Sequence, residues 1–267
     1  ERLVDDKPNY IFLDEIQNVA EFQRLVDSLY IKPNVDVYIT GSNAYLLSGE
    51  LATLLTGRYI EINILPLQFA EYYQFTLSKS PNLSKQDILA NFIHYGGIPE
   101  YNKQLNISEK QADLFAQSVL KTIVEKDIFQ RLNITNKHDF NKIIDFVFDS
   151  VGSYVSPRSI SDTLRSNGTI IDKQTVAKYL DALCEAYLIY KVPRFEIKGK
   201  GLLQTLNKYY VVDPSFAKVR LKKAILKDRS HWLENMVYLE LLRRNKEVFI
   251  GKRNNLEVDF VAIDYND

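Results

Sequence analysis

The chain has 267 residues, long enough for two domains of ordinary size and a small third, and its 46% hydrophobic and 25% charged residues are the balance of a globular protein. Thirty-four Lys and Arg offset thirty-four Asp and Glu, so any nucleic-acid surface has to be local. A single cysteine, Cys184, excludes an internal disulfide and a multi-cysteine metal site, and no apolar run reaches the roughly 18 residues of a membrane span.

The N-terminus, "ERLVDDKPNY", lacks the three regions of a signal peptide. With one cysteine, placed in "YLDALCEAYLIY" as apolar filler, a reducing, cytoplasmic setting is expected.

In chain order, Tyr10-Ile11-Phe12-Leu13 is a continuous apolar run, which predicts a strand buried on both faces. It ends in two adjacent carboxylates, Asp14 and Glu15. "AEFQRLVDSLY" sets Phe22, Leu25, Val26 and Leu29 at helical spacing. "VDVYITGSN" gives a second strand, ending at Thr40-Gly41-Ser42-Asn43. "AYLLSGELATLLTG" reads as a helix capped by Gly57, and "RYIEINIL" alternates like a third strand. Strands alternating with helices at this spacing argue for a parallel sheet with crossover helices.

From Pro66 the pattern is helical through "KHDFNKIIDFVFDSVG", interrupted by "YGGIPEY" at 95–101. Paired glycines there permit backbone angles closed to other residues. Residues 153–212 change rhythm. "SPRSISDTLRSNG" is a short helix with Pro157 in its first turn, and "DKQTVAKYLDALCEAY" a longer one with Asp172 as N-cap. "LIYKVPRFEI" and "KYYVVDP" read as strands. Helix, turn, helix and β-wing describe a winged helix-turn-helix, and residues 154–208 carry nine basic against five acidic side chains, a local net charge of +4. The tail is a helix, "HWLENMVYLELLRRN", and two strands, "EVFIGKR" and "LEVDFVAID". Both ends read as interior to something larger.

Three constellations could carry chemistry. The first is Asp14 and Glu15 with Ser42, Asn43 and Arg58. In phosphoryl transfer an Asp at a strand end holds Mg²⁺ through its water shell, and an adjacent carboxylate orients the attacking water. A polar side chain on the neighbouring strand tip contacts the γ-phosphate, and Arg58 could supply charge to the transition state. The bland alternative is a solvated acidic turn, with Asn43 capping a helix and Arg58 paired with Glu61. The second is Glu234, Glu257 and Asp259, carboxylates on a helix and a strand that could share a divalent metal as in metal-dependent nucleases. The third is the winged helix, with Lys173, Thr175 and Lys178 on its second helix and Lys198 and Lys200 at the wing tip facing duplex DNA; protein docking is the alternative. His94, His138 and His231 have no partner at metal spacing, and the aromatic richness reads as core.

The run "YIFLDEIQNV…ITGSNAYLLSGELATLLTGRYIEINILPLQFAEYY…YGGIPEY", with "KYYVVDPSF" and "LENMVYLELLRR…EVFIGK…LEVDFVA", resembles a prokaryotic family of AAA-type P-loop ATPases whose C-terminal region has unknown function. The resemblance implies that Asp14 is the Walker B magnesium residue, Glu15 the catalytic carboxylate, and Ser42 or Asn43 the first sensor. It also implies a restriction-endonuclease-like core at the C-terminus, of which Glu234 and Asp259 would be remnants. One motif departs from the family: no G-x-x-x-x-G-K-[ST] occurs in these residues. Without that cradle ATP and Mg²⁺ are expected to bind the intact protein and not, tightly, this chain.

The expected fold is α/β: a partial P-loop parallel sheet (1–65), a helical lid (66–152), a winged helix-turn-helix (153–212) and a truncated α/β nuclease-like domain (213–267). The expected function is ATP binding and hydrolysis coupled to a DNA- or protein-binding module. The alternatives are a non-catalytic module with a nucleotide-switch core, or, when intact, a metal-dependent nuclease. Duplex DNA, a protein partner and a second copy are the partner classes this organisation leaves open, with no membrane among them.

Overall fold

The computed structural model describes residues 7–44, 58–100, 108–196, 206–222, 229–244, 246–253 and 256–263. All but the first residue of the helix expected at 44–57, with its Gly57 cap, and the wing-tip residues Lys198 and Lys200 lie outside the described residues. The chain divides into two compact units, Glu1–Asn63 and Ile64–Asp267.

In the first unit β1 (Asn9–Leu13) and β2 (Val35–Ile39) pair in parallel, with Leu13 opposite Ile39, and α1 (Phe22–Tyr30) makes the crossover. Phe22 and Val26 bury against Ile16, Leu13 and Ile39. The expectation of two buried faces is corrected: β1 alternates, and Tyr10 and Phe12 stand exposed, Phe12 stacked on Tyr38 at 4.8 Å. One crossover helix covers one face only, so the side chains of opposite pleat are left outside it. Leu25 is exposed too, because the face that meets the sheet runs through Phe22 and Val26, four residues apart. Residues 58–63 form no strand, and Ile60 and Ile62 are exposed. An alternating segment becomes a strand only when another offers it backbone partners.

The second unit begins with α2 (Phe69–Lys79) and α3 (Lys85–Tyr95), followed by α4 (Glu109–Ile123), which continues as a π-helical stretch over Val124–Gln130, and α5 (Lys137–Asp149). Next come β3 (Tyr154–Val155), α6 (Pro157–Ser166), α7 (Lys173–Glu185), β4 (Ile189–Glu196) and β5 (Asn207–Val211). The unit closes with α8 (Pro214–Leu221), α9 (Arg229–Arg243), β6 (Glu247–Arg253) and β7 (Leu256–Ile263). Starts are set by side-chain caps: Ser84, Ser108, Asn136, Ser156, Asp172 and Asp213 each accept an N–H from the first turn, and Pro157 and Pro214 occupy first-turn positions.

The five strands make one sheet, ordered β3-β5-β4-β6-β7. β4 is the joint. Its first half pairs antiparallel with β5, and its last three residues pair parallel with β6. Phe140 and Phe148 of α5, Leu180 and Leu183 of α7, Tyr210 of β5 and Ile250 of β6 belong to one hydrophobic core. The helices expected as a lid thus share their core with the segments that follow. Tyr210 stacks on Tyr238 at 4.6 Å, and Phe260 packs beside both, so these aromatics are core. Cys184 packs against that core as a free thiol, and burial pushes it up to about 12.

Candidate functional site

The parallel register sets Leu13 beside Ile39, so the first residues beyond each strand, Asp14 and Thr40, leave the sheet side by side. The Thr40 hydroxyl donates to Asp14 Oδ1 and accepts the Glu15 backbone N–H at 3.1 Å. Glu15 has left-handed backbone angles, φ 50° and ψ 41°, uncommon for a non-glycine residue, which turns the chain sharply into the 3₁₀ turn Ile16–Asn18. Gln17 links the two tips: its Nε2 donates to Glu15 Oε2 at 2.5 Å and approaches Ser42 Oγ at 3.5 Å. Asn43 follows, buried to 5% exposure.

The structure therefore gathers Asp14, Glu15 and Ser42 at one edge, the carboxyl end of two parallel strands, where ligands bind in open α/β sheets. Arg58 points elsewhere. Its guanidinium lies 3.9 Å from Asp27 and 5.7 Å from the centre of the Tyr30 ring, both on α1, and not against Glu61. Sequence reasoning gave no role to Thr40 or Gln17. The signal for Thr40 was its place one residue past β2, which became readable once β2 was known to neighbour β1. The donor set at this edge is hard oxygen from two exposed carboxylates and hydroxyls, and Gln17 Oε1 is buried without a donor among the described residues. Such a set fits a magnesium ion that keeps most of its waters; it is not an all-protein cage.

The second constellation has an occupant of its own. Lys208 of β5, its side chain 5% exposed, places Nζ 2.8 Å from Glu234 Oε1 and 2.5 Å from Glu257 Oε1. Tyr210 donates its hydroxyl to Glu234 Oε1 at 2.6 Å. Burial opposes the charge on Lys208, but the hydrogen bonds it donates to Glu234 and Glu257 outweigh it and raise its pKa. Burial, then the Glu234 bond, push the Tyr210 hydroxyl up. Asp259 is exposed on β7. Among the described residues no group of three or more His, Cys, Asp or Glu side chains could hold a metal ion. Lys208 was missed because it belongs to a strand remote in sequence from both carboxylates.

On α7, Lys173 and Lys178 are exposed, whereas Thr175 is half-buried and used locally. Its hydroxyl donates to Asp172 Oδ2 at 2.7 Å and its backbone N–H to Oδ1 at 2.9 Å. These bonds, the hydroxyl first, hold the Asp172 carboxyl below its ordinary value. His94, read as filler, belongs to a network: Lys218 Nζ lies 2.6 Å from His94 Nε2, 2.8 Å from Asp113 and 3.1 Å from Glu109, tying α8 to α3 and α4.

A further site carries "YGGIPEY". Asp213, fully buried, accepts N–H bonds from Gly97 at 2.7 Å and Ser215 at 2.9 Å, and the Ser215 hydroxyl at 2.5 Å. Burial pushes its carboxyl up to about 6 against the pull of these bonds. A Cβ on Gly96 would meet Asp213 Oδ1 at 1.9 Å, and one on Gly97 the Leu67 carbonyl oxygen at 2.3 Å.

Comparison with known proteins fits this division. Residues 1–73 match the family model for an AAA domain, and residues 86–224 match a domain of unknown function, DUF8612. An uncharacterised protein of Haemophilus influenzae is 39% identical over 253 residues, and the uncharacterised protein MJ1544 of Methanocaldococcus jannaschii is 31% identical over 267. The alignments include 95% and 96% of this chain but only 62% and 59% of those relatives' lengths. Among solved structures the Walker-type ATPase PABY2304 of Pyrococcus abyssi is similar in fold, with a TM-score of 0.51 at 15% identity, over 79% of this chain and 62% of that one. Among the described residues no helix is long and apolar enough to cross a membrane. The matched DUF8612 stretch covers more than half of the sequence, from the start of α3 to just past α8, and the chain belongs to that family, while residues 1–73 ahead of it are similar to an AAA domain.

Proposed function

We propose that this chain is part of an AAA-type ATPase in which the nucleotide state of the first unit governs a binding module in the second. The observation that carries the reading is the edge made by Asp14, Thr40, Glu15, Gln17 and Ser42 at the carboxyl ends of two hydrogen-bonded parallel strands. Asp14, oriented by the Thr40 hydroxyl, would hold Mg²⁺ through water. Bound there with a nucleotide, the ion would supply charge neutralisation for the phosphates. Glu15 would orient the attacking water, with Gln17 fixing its rotamer. Ser42 or Asn43 would sense the γ-phosphate. The contacts of Arg58 with Asp27 and Tyr30 support a structural task for it in this unit.

For the second unit we read residues 153–212 as a winged helix. The order α5, β3, α6, α7, β4, β5, with β5 between β3 and β4, supports this, as do the exposed Lys173 and Lys178. Duplex DNA is the partner favoured by the local +4 charge, and a protein partner is the alternative. A nuclease activity has less support, since the ammonium of Lys208 lies between Glu234 and Glu257 where a divalent ion would have to sit.

The test is Mg-ATP hydrolysis by a chain extended upstream through a phosphate-binding loop, with and without duplex DNA. Turnover stimulated by DNA and abolished by Glu15→Gln is the expected result. Absence of turnover in both proteins would reduce the reading to a nucleotide-binding scaffold.

A further inference from the structure

The second unit holds a cavity of about 390 Å³, at the lower end of the range usual for small-molecule sites. It lies between the start of α2 and the length of α9, and none of the residues assigned to the nucleotide edge or to Lys208 and its carboxylates lines it. Its walls are mostly apolar. Phe69, Phe92, Trp232, Met236 and Leu239 are among the lining side chains.

The lining also carries two acidic and two basic side chains, Asp213, Glu240, Arg243 and Arg244. Asp213 lines the cavity, but its oxygens are engaged by Gly97 and Ser215. Glu240 is taken by Arg244 at 2.8 Å. Arg243, in the last turn of α9, is left over. Its Nη2 donates to the Pro66 carbonyl, its Nε–H is buried without an acceptor, and no carboxylate among the described residues forms an ion pair with it. A guanidinium carries five N–H donors, and the Pro66 carbonyl takes one of them. A guanidinium is also the cation best shaped to take a carboxylate.

We propose that this cavity binds an apolar monocarboxylate of medium-chain fatty-acid type, its carboxylate on Arg243 and its chain along Phe69, Phe92 and Trp232. Arg243, the basic side chain of the lining left without a carboxylate partner among the described residues, favours a ligand with one anionic group. The apolar walls select a hydrocarbon body over a sugar or a nucleotide. The proposal is independent of the ATPase reading.

Trp232 is the protein's one tryptophan and lines the cavity, so its emission reports occupancy directly. Decanoate, decanol and decylamine are titrated into the chain below their micelle concentrations, with calorimetry as a second readout. The expected result is saturable binding of decanoate with a Kd below about 1 mM, and decanol weaker by about tenfold or more. Arg243→Met should bring decanoate down to the level of decanol, and Ala70→Phe, which narrows the exposed mouth, should weaken both. Equal binding of decanoate and decanol by the unmodified chain would overturn the proposal, and this comparison stands even where a variant fails to fold. Undiminished decanoate binding by a folded Arg243→Met, or no saturable binding of decanoate by either readout, would overturn it equally.

Discussion

The carboxylate of Asp213 accepts the backbone N–H of Gly97 at 2.7 Å, joining positions 116 residues apart. The bond fastens the turn after α3 to the start of α8, and it explains why two glycines stand together there. Gly96 has φ +79°, and any Cβ on it would overlap the Asp213 carboxylate. Gly96→Ala should therefore cost more than about 3 kcal/mol. Gly168→Ala is the control: φ is +82° but nothing lies within 4 Å of a Cβ, so only the left-handed penalty of about 1–2 kcal/mol applies. Urea unfolding of the two variants reads the difference directly. Equal losses would mean that the Asp213 contact does not constrain Gly96.

The same carboxylate makes stability depend on pH. Its ordinary value of 3.8 is raised to about 6, chiefly by burial, so the folded chain holds a proton that the unfolded chain releases. Its contribution is full below about pH 3.8 and is lost as pH rises through about 6, amounting to about 3 kcal/mol. Asp213→Asn should lose this slope between pH 4 and 6, whatever its absolute stability. Unfolding free energies measured across that window in both proteins provide the check, and parallel curves would show that Asp213 does not titrate there.

Lys208 is the cation of its cluster, and deleting it leaves Glu234 nearly buried beside Glu257. Removing one partner of a buried ion pair costs about 3–5 kcal/mol, because the other charge is left uncompensated. Lys208→Met should be destabilised by that order, and adding Glu234→Gln should restore part of the loss. A double variant no more stable than Lys208→Met would show that the two charges are not coupled.

Phe140 is completely buried, with T-shaped contacts to Phe129 at 5.2 Å and Tyr179 at 4.8 Å. Phe140→Ala should cost about 3–5 kcal/mol and lower a single transition for the whole second unit, since α5 and α7 share that core. Hydrogen exchange that speeds up in α5 alone would contradict a shared core.

Thr40 orients Asp14 and receives the Glu15 N–H, and Thr40→Val keeps the shape while removing both bonds. In the upstream-extended protein this change should lower kcat by about tenfold and raise the Mg²⁺ concentration needed for half-maximal turnover, as loss of an orienting partner does. An unchanged Mg²⁺ requirement would show that Thr40 does not position Asp14 for the metal.

The sequence determined much of this by local rules. Alternation of strand and helix over 9–39 specified a parallel pair, and Ser, Asn, Asp and Pro at the caps marked where most helices begin. Asp14 and Glu15 were legible as a strand-end carboxylate pair because their meaning depends on the residues just before them. What depended on remote partners was not legible. Whether 58–65 becomes a strand is decided by whether another strand pairs with it, and the alternating pattern alone cannot supply that partner. Glu234 and Glu257 were readable as metal ligands until the fold placed Lys208 between them, because chain order holds no record of which cation reaches a carboxylate. The tertiary structure likewise decided that β4 carries the sheet across an expected domain boundary, and that Asp213 gives "YGGIPEY" its purpose. Side-chain and backbone partners more than a hundred residues apart meet only once the core has closed, so local pattern specified the elements and packing specified their roles.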